Sequence, residues 1–314
     1  MNKRDAVLSL LDSSKPEAYV PGAFFLHFEP SCHFGQAAVD KHLEYFRATG
    51  MDFVKIQYEA KFPQLSAIRR PGDWTKMPLY GPGFFAPQIE VVEGIIRAVK
   101  HEALVLVTLY SPLMCAGHAV GEERMLQHLR DDPAPVVKGM EIITESLTAF
   151  VRACIRIGVD GFYHSTQGGE RHRLADRSEF DAFVRPFDLV VMKEADRACA
   201  FNILHICDYL GEYDDLARFQ DYPGHLVSCP LHVAGQPLPM ADAARFFNRP
   251  VMGGLDRHGV ITTGSEEQLR AEVGGVLRQA PERFVLGADC TVLSETPWQN
   301  LRTAIEVAHA WSRG

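Results

Sequence analysis

Short apolar runs of strand length alternate with longer helical stretches along almost the entire chain. Short apolar runs bounded by turn residues are typical of buried strands, and longer stretches with apolar residues at helical spacing are typical of helices packed on a sheet. The pattern predicts eight strands, which are Tyr19–Phe28, Asp52–Glu59, Leu104–Tyr110, Val159–Ser165, Phe201–Cys207, His225–Cys229, Val251–Asp256 and Phe284–Cys290.

Helical periodicity fills the intervals between these strands. The predicted helices are Gln36–Thr49, Pro87–Lys100, Val136–Ile157, Ser178–Ala198, Tyr213–Phe219, Met240–Phe247, Glu266–Gln279 and Pro297–Trp311. A further helix, about Lys3–Asp12, precedes the first strand, and we expect it to close the bottom of the sheet or to pack beside it.

Strict alternation of strands and helices favours an α/β fold with a parallel sheet. Eight units in about 300 residues match the size of a closed (β/α)8 barrel, or TIM barrel, and an open doubly wound sheet is the alternative. We favour the barrel because the fifth and eighth predicted strands would then end on one rim, where barrel enzymes carry their chemistry.

The chain shows no internal repeat, low-complexity segment or Ser/Gly linker, so we expect a single barrel domain over residues 1–314. One connection is unusually long. Residues Ala60–Ala86, rich in Pro, Gly and aromatic side chains, follow the second predicted strand at the active rim. Because a loop of this length in a compact domain is usually functional, we expect it to form a lid over the active site.

Composition narrows the function class. A hydrophobic content of 46% with 23% charged residues is ordinary for a soluble globular protein. The net charge is −8 and no block of Lys or Arg occurs, which argues against a nucleic-acid or membrane surface and favours a small-molecule partner. The sequence shows neither a signal segment nor a membrane span, so we expect a cytoplasmic protein whose seven cysteines are reduced.

Three cysteine and histidine residues suggest a metal site. His205 and Cys207 are two positions apart in one predicted strand, so their side chains project to the same face. Cys290 ends the eighth predicted strand, and on the same rim it would complete a pocket of one nitrogen and two sulfur ligands. Such a pocket suits Zn²⁺ with one coordination position open for a substrate.

Two other pairs compete for this role. Cys115 with His118 follows the third predicted strand, and Cys32 with His33 follows the first. Both pairs lie in predicted loops, which hold ligands less precisely than strands do, so we rank them below the three strand-terminal residues.

Further polar residues are expected at the rim. Glu59 ends the second predicted strand, His164 lies near the end of the fourth and Asp256 ends the seventh. In a barrel Glu59 and His164 could point inward, and we take them as candidate catalytic residues and Asp256 as a candidate substrate contact. For any Glu, a solvated loop carboxylate is the other interpretation.

The spacing of His205, Cys207 and Cys290 resembles that of the uroporphyrinogen decarboxylase superfamily, in particular its zinc-dependent thiol methyltransferase branch. That branch, which includes methylcobamide:coenzyme M methyltransferases, carries His-x-Cys on one strand and a distant Cys near the C-terminus. The resemblance covers most of the chain, is sharpest from about residue 200 onward and implies a (β/α)8 barrel. The flanking stretches that share its style are Met252–Asp256, Thr263–Glu267, Phe284–Cys290, Thr296-Pro297 and Asn300-Leu301.

The resemblance implies a mechanism in which Zn²⁺ is bound by His205, Cys207 and Cys290. A substrate thiol would enter the remaining position as a thiolate and attack a methyl carbon. A separate corrinoid protein would deliver the methyl group, since this sequence shows no corrinoid-binding domain. His164 or Glu59 would take the thiol proton or orient the substrate.

Two departures bear on the alternative functions. Uroporphyrinogen decarboxylases carry an Arg-rich N-terminal segment and a catalytic Asp after the second strand, whereas residues 27–33 here contain no Arg and Glu59 stands where that Asp is expected. A polyanionic tetrapyrrole would be held poorly without arginines. Decarboxylation of a carboxylated tetrapyrrole therefore stays the alternative, beside a non-catalytic homologue with a structural metal.

Overall fold

A curled parallel sheet of seven strands forms the centre of the computed structural model, which describes residues 2–14, 19–174 and 176–312. In spatial order the strands are β1 (Phe53–Ile56), β2 (Leu104–Tyr110), β3 (Gly161–Thr166), β4 (Ile203–Ile206), β5 (Leu226–Ser228), β8 (Val251–Leu255) and β9 (Phe284–Ala288). A small antiparallel hairpin of β6 (His232–Val233) and β7 (Gln236–Pro237) follows β5 in the chain. The fold is the predicted TIM-barrel type, and seven of the eight predicted strands are confirmed.

The space between β9 and β1 is occupied by an extended segment, residues 19–26, that we call the seam segment. Ala23 N donates to Leu286 O at 3.0 Å, and on the other side Asp52 N donates to Gly22 O at 3.0 Å. The predicted strand Tyr19–Phe28 is thus present only as a single bridge between Gly22 and Leu286. Pro21 is one physical reason, because it has no N–H to donate to a ladder. Regular strand pairing therefore does not close the barrel.

Helices cover the outside of the sheet and follow most of the predicted helical stretches. The described helices are α1 (Lys3–Ser9), α2 (Gly35–Thr49), α3 (Pro82–Val99), α4 (Pro112–Val120), α5 (Glu122–Asp131), α6 (Pro133–Ile157), α7 (Arg177–Phe183), α8 (Arg185–Ala198), α9 (Met240–Phe247), α10 (Val260–Thr263), α11 (Glu266–Gln279) and α12 (Trp298–Ala310). Within the described ranges, no helix has the length and apolar character that crossing a bilayer requires.

Two helix predictions need correction. The stretch Ser178–Ala198 is divided into α7 and α8 at Val184, where Pro186 occupies the first turn of the second helix, a position that suits proline. The stretch Tyr213–Phe219 contains only a short 3₁₀ turn, Ala217–Phe219. A run of seven residues is too short for its apolar spacing to specify a helix without support from tertiary packing.

Strand pairing shows which side chains face the barrel interior. Ser165 is paired with His205, and His205 with Ser228, so these three residues point to the same face. Tyr163, which precedes Ser165 by two positions, stacks on the His205 ring at 4.9 Å between centroids and contacts Phe25 of the seam segment at 5.3 Å. Contact between β3, β4 and the seam segment identifies this face as the interior.

The segment predicted as a lid is anchored at its centre. Trp74, in the 3₁₀ turn Pro71–Lys76, is fully buried and donates from Nε1 to His128 Nδ1 of α5 at 2.9 Å. Its ring lies so close to Gly139 of α6 that a Cβ there would approach Trp74 Cε3 to 2.6 Å. The lid over residues 60–86 stays a prediction, and any movement of that segment as one unit would have to expose Trp74.

Candidate metal centre

The carboxyl ends of β4 and β9 bring together the three predicted metal ligands. His205 lies within β4, Cys207 follows that strand directly and Cys290 follows β9 by two residues. The Cys207 and Cys290 sulfurs are 3.8 Å apart, and Cys290 Sγ is 3.5 Å from His205 Nε2. All three side chains are buried, and their ligand atoms lie within 4.8 Å of one another.

These separations fit a tetrahedral zinc site. With Zn–S bonds of about 2.3 Å and Zn–N bonds of about 2.0–2.1 Å, tetrahedral angles place two sulfurs about 3.8 Å apart and a sulfur about 3.5 Å from a nitrogen. The observed distances of 3.8 Å and 3.5 Å agree with both values. The donor set of one imidazole and two thiols is also one that Zn²⁺ prefers. The three residues can therefore hold a metal ion.

The two thiols are electrostatically unequal before any metal binds. The hydrogen bond from Cys290 and the adjacent His205 hold the pKa of Cys207 well below its ordinary value. Cys290 donates its thiol proton to Cys207 and is buried, and both effects raise the pKa of Cys290 well above its ordinary value. Gln167 Nε2 also donates to Cys207 Sγ at 3.2 Å. Of the two thiols, Cys207 is therefore the more easily deprotonated, and a bound metal would displace the protons that remain on the pair.

A hydroxyl group fixes the orientation of the histidine. Ser228 Oγ of β5 lies 3.1 Å from His205 Nδ1 and 3.3 Å from the Tyr163 hydroxyl. With Nδ1 engaged by Ser228, Nε2 is the nitrogen that faces Cys290. Partners of this kind orient a ligand ring and keep it in the tautomer that binds a metal.

Substitution Ser228→Ala should therefore weaken zinc binding without removing a ligand. We expect the zinc dissociation constant to rise about tenfold, the lower end of the range for loss of a hydrogen-bond partner of a ligand. Competition with a chromophoric chelator measures this change. Ser146→Ala, a buried serine of α6 outside the barrel, is the matched control and should leave the constant unchanged. An equal loss in both variants would contradict the orienting role of Ser228.

A buried lysine lies beside the metal centre. Lys55 of β1 donates to Gln57 Oε1 at 3.0 Å, and its ammonium lies 4.6 Å from the Phe25 ring centroid and 4.9 Å from that of Tyr163. Burial lowers the pKa of Lys55 to about 7, although the neighbouring Cys290, Glu59 and Cys207 oppose this shift. A positive charge in this position would offset negative charge that gathers at the thiolates.

Lys55→Met should stabilise the metal-free protein in a pH-dependent way. Between about pH 7 and the ordinary lysine pKa of 10.5, the unfolded chain binds more protons at this residue than the folded chain, so wild-type stability rises with pH. The cost of burying the charge is fully present below about pH 7. Each pKa unit corresponds to about 1.4 kcal/mol, so we expect the variant to be more stable near pH 6 by a few kcal/mol and the difference to vanish near pH 10.

Thermal melting of both proteins across this pH range tests the expectation. Lys138→Met removes an exposed lysine of α6 and should give no pH-dependent difference. A Lys55→Met difference that is the same at every pH would show that Lys55 does not carry this linkage.

A comparison with protein families adds to this geometry. The model described as "Uroporphyrinogen decarboxylase (URO-D)" matches residues 45–311. The chain belongs to the uroporphyrinogen decarboxylase family. In this family member, the matched range includes the seven strands of the curled sheet and the residues His205, Cys207 and Cys290. Helix α1 and the seam segment precede the matched range.

Solved structures show the same fold. A methyltransferase from Methanosarcina mazei superposes with a TM-score of 0.80 at 14% identity, covering 98% of each chain. A B12-independent methionine synthase from Shewanella sp. W3-18-1, in complex with selenomethionine, gives a TM-score of 0.56 at 12% identity over 94% of each chain. A search of curated protein sequences finds no significant match. The family and both structural neighbours are described as enzymes.

Glu59 follows β1 and lies at the rim of the barrel that also carries Cys207 and Cys290. Its two carboxylate oxygens are 3.4 Å from His27 Nδ1 and 3.5 Å from His33 Nδ1. Although burial opposes the shift, these two rings hold the pKa of Glu59 below its ordinary value. Burial, and after it the negative charges of Glu59 and Cys207, raises the pKa of Tyr110 at the end of β2.

The other two predicted site residues lie elsewhere. His164 is paired with Leu204 and so points away from the barrel interior, where its Nε2 lies 3.6 Å from Asp188 Oδ1 of α8. The expectation that His164 points inward is wrong, because inward positions on β3 are Tyr163 and Ser165. Asp256 is exposed, and its Oδ1 accepts from His258 N at 2.8 Å within its own turn. Its role as a substrate contact stays a prediction.

The competing cysteine pairs do not form metal clusters among the described residues. Cys115 is buried in α4, where burial raises its pKa and keeps it a neutral thiol. Cys32 donates to Glu29 Oε1 at 3.3 Å. Sequence reasoning gave no role to Lys55, Ser228 or Gln167. Gln167 was recognisable only as one of the polar residues expected at the rim after the fourth predicted strand, and Lys55 gives a signal as a charged residue within an apolar strand.

Proposed function

We propose that this protein is a zinc-dependent methyltransferase that activates a thiol for attack on a methyl group. The observation that carries the proposal is the triangle of His205, Cys207 and Cys290, whose distances suit zinc with one position left for a substrate. When bound, zinc would act as a Lewis acid that keeps the substrate thiol deprotonated at neutral pH. Two thiolates and a neutral imidazole would balance its charge, which preserves the nucleophilicity of the substrate sulfur.

The chain's own residues would position the reaction and move the proton. Ser228 orients His205, and Gln167 holds Cys207 through its donated hydrogen bond. In this proposal Glu59 accepts the proton that the substrate thiol releases, because its carboxylate is ionised at neutral pH and lies between two histidines. The His27 side chain is 41% exposed and can pass the proton to solvent.

The methyl donor in this proposal is a separate corrinoid protein. The described residues form the barrel, the helices around it and one small hairpin, none of which is a second domain that could carry a corrinoid. A donor in a partner would dock at the rim where β4 and β9 end, since the thiols are reached from there.

The geometry gives little support to decarboxylation of a carboxylated tetrapyrrole. Such a substrate needs unpaired arginines to hold its carboxylates. At the rim Arg257 is already engaged by two carboxylates, those of Asp208 and Asp289, at 2.8 Å each.

Elemental analysis and X-ray absorption test the proposal together. We expect stoichiometric zinc in the purified, zinc-supplemented protein, with two sulfur ligands rising to three when a small thiol such as 2-mercaptoethanol is added. Incubation with methylcobalamin and that thiol should form the methyl thioether. Zinc whose coordination does not change with thiol would indicate a structural metal. Release of carbon dioxide from a carboxylated porphyrinogen without added metal would indicate the decarboxylase.

A further inference from the structure

The two cysteine-bearing ends, residues 207–208 and 289–290, are not joined by strand pairing. In the sheet, β5 and β8 lie between β4 and β9. The ladder also ends before the cysteines, at Ile206 on β4 and at Ala288 on β9. The distance between the Cys207 and Cys290 sulfurs therefore also depends on contacts outside the strand ladder.

A single arginine spans this gap. Arg257, which follows β8 by two residues, donates from Nη1 to Asp208 Oδ1 and to Asp289 Oδ2, each at 2.8 Å. Its backbone N also donates to Asp289 Oδ1 at 2.9 Å. Asp208 directly follows Cys207, and Asp289 directly precedes Cys290. The guanidinium is thus linked to both cysteines through carboxylates one residue away.

The burial of these groups makes the bridge stronger than an ordinary surface ion pair. The side chains of Arg257, Asp208 and Asp289 are 12%, 17% and 10% exposed. Charge-assisted hydrogen bonds are shorter and stronger than neutral ones, and shielding from water avoids the screening that leaves many exposed ion pairs with almost no contribution to stability. Asp289 N is also bonded to Leu255 O at 3.0 Å, so the bridge is tied to the end of β8.

We propose that Arg257 is a positioning residue that fixes the separation of Cys207 and Cys290 through Asp208 and Asp289. The proposal rests on the zinc site of the proposed function, but its geometry exists in the metal-free protein. Without the bridge, the two ends lose the contact that they share, and their relative position has to be fixed when the metal binds. We expect Arg257→Gln to raise the zinc dissociation constant about 10–100-fold. Arg257→Lys keeps the positive charge but replaces the planar guanidinium by a single ammonium group, and its zinc dissociation constant should lie between those of the wild type and Arg257→Gln.

The same strand offers a matched control at its opposite end. Arg249 precedes β8, is partly buried, and donates from Nη1 to the backbone oxygens of Tyr222 and Gly224 at 2.8 and 2.9 Å. Arg249→Gln should lower the thermal midpoint and leave the zinc dissociation constant within about threefold of the wild type, since it lies outside the set of ligand partners.

The experiment uses two probes on the wild type and these variants. Chelator competition measures zinc affinity, and titration of metal-free protein with phenylarsine oxide, which bridges two adjacent thiols, reports the cysteine pair without zinc. The Cys290→Ser variant gives the background for the arsenical.

Weaker binding of both probes by Arg257→Gln, with wild-type binding by Arg249→Gln, supports the proposal. If Arg257→Gln and Arg257→Lys both bind the two probes as the wild type does, Arg257 only stabilises the fold. Absence of zinc binding in the wild type with the same arsenical pattern would overturn the proposed function and leave the positioning role intact.

Discussion

Replacement of Cys207 by serine is expected to abolish stoichiometric zinc binding. Cys207 is the thiol whose pKa is lowered, chiefly by the hydrogen bond from Cys290 and by His205, and Gln167 also donates to its sulfur. A serine hydroxyl at this position would stay protonated and is a poor zinc ligand, which leaves two ligands where three are needed. Loss of a ligand should exceed the roughly 10–100-fold cost of losing an outer partner, so we expect the zinc dissociation constant to rise by more than about 100-fold.

The adjacent barrel strand provides the control. Cys229 follows β5, is fully buried and has its thiol directed at Val227 O, not at the ligand cluster. Cys229→Ser should retain zinc, measured by elemental analysis after dialysis and by chelator competition. Retention of zinc by Cys207→Ser, or equal losses in the two variants, would remove the basis for the metal centre.

Replacement of Gly161 by alanine should give the largest loss of stability. Gly161 begins β3, and a Cβ there would lie 1.7 Å from the Phe201 carbonyl oxygen and 2.6 Å from its carbon. These are backbone atoms just before β4, so the clash can be relieved only by moving the two strands apart. Overpacking that forces a backbone shift costs up to about 3 kcal/mol and sometimes more, and we expect a loss of at least that size. Because β4 carries His205 and leads to Cys207, zinc affinity should fall as well.

Gly83→Ala separates this clash from a general effect of the substitution. Gly83 lies in the first turn of α3, and a Cβ there meets no atom within 4 Å. Alanine should stabilise this exposed helical position by about 0.4–1 kcal/mol. Urea denaturation of both variants measures the two effects. A Gly161→Ala protein as stable as the wild type would show that β3 and β4 need not approach so closely.

Much of the fold and the metal cluster was predictable from local rules. Seven strands were recognisable because buried parallel strands are continuous apolar runs. The convergence of His205 and Cys207 follows from the two-residue period of a strand, and a barrel brings Cys290 to the same rim because parallel strands end on one side.

Two features of the site were not predictable because one strand does not specify its register, or its contacts, against the next. His164 and Ser165 were equally acceptable as inward residues, and only pairing of Ser165 with His205 decides between them. The bridge through Arg257 depends on contacts between segments 49 and 32 residues apart, which no local pattern contains. The prediction of a full strand over Tyr19–Phe28 was wrong for a local reason, which is that Pro21 has no N–H to donate to a neighbouring strand.

The closeness of the Cys207 and Cys290 sulfurs would also make the protein vulnerable to oxidation whenever no metal is bound. A disulfide bond is about 2.05 Å long, so sulfurs 3.8 Å apart have to close by less than about 2 Å. The lowered pKa of Cys207 favours its thiolate, which is the form that reacts with peroxides and disulfides. Protein stored in air without metal or reductant should therefore lose these thiols together, and a dithiol reductant should restore its capacity for metal.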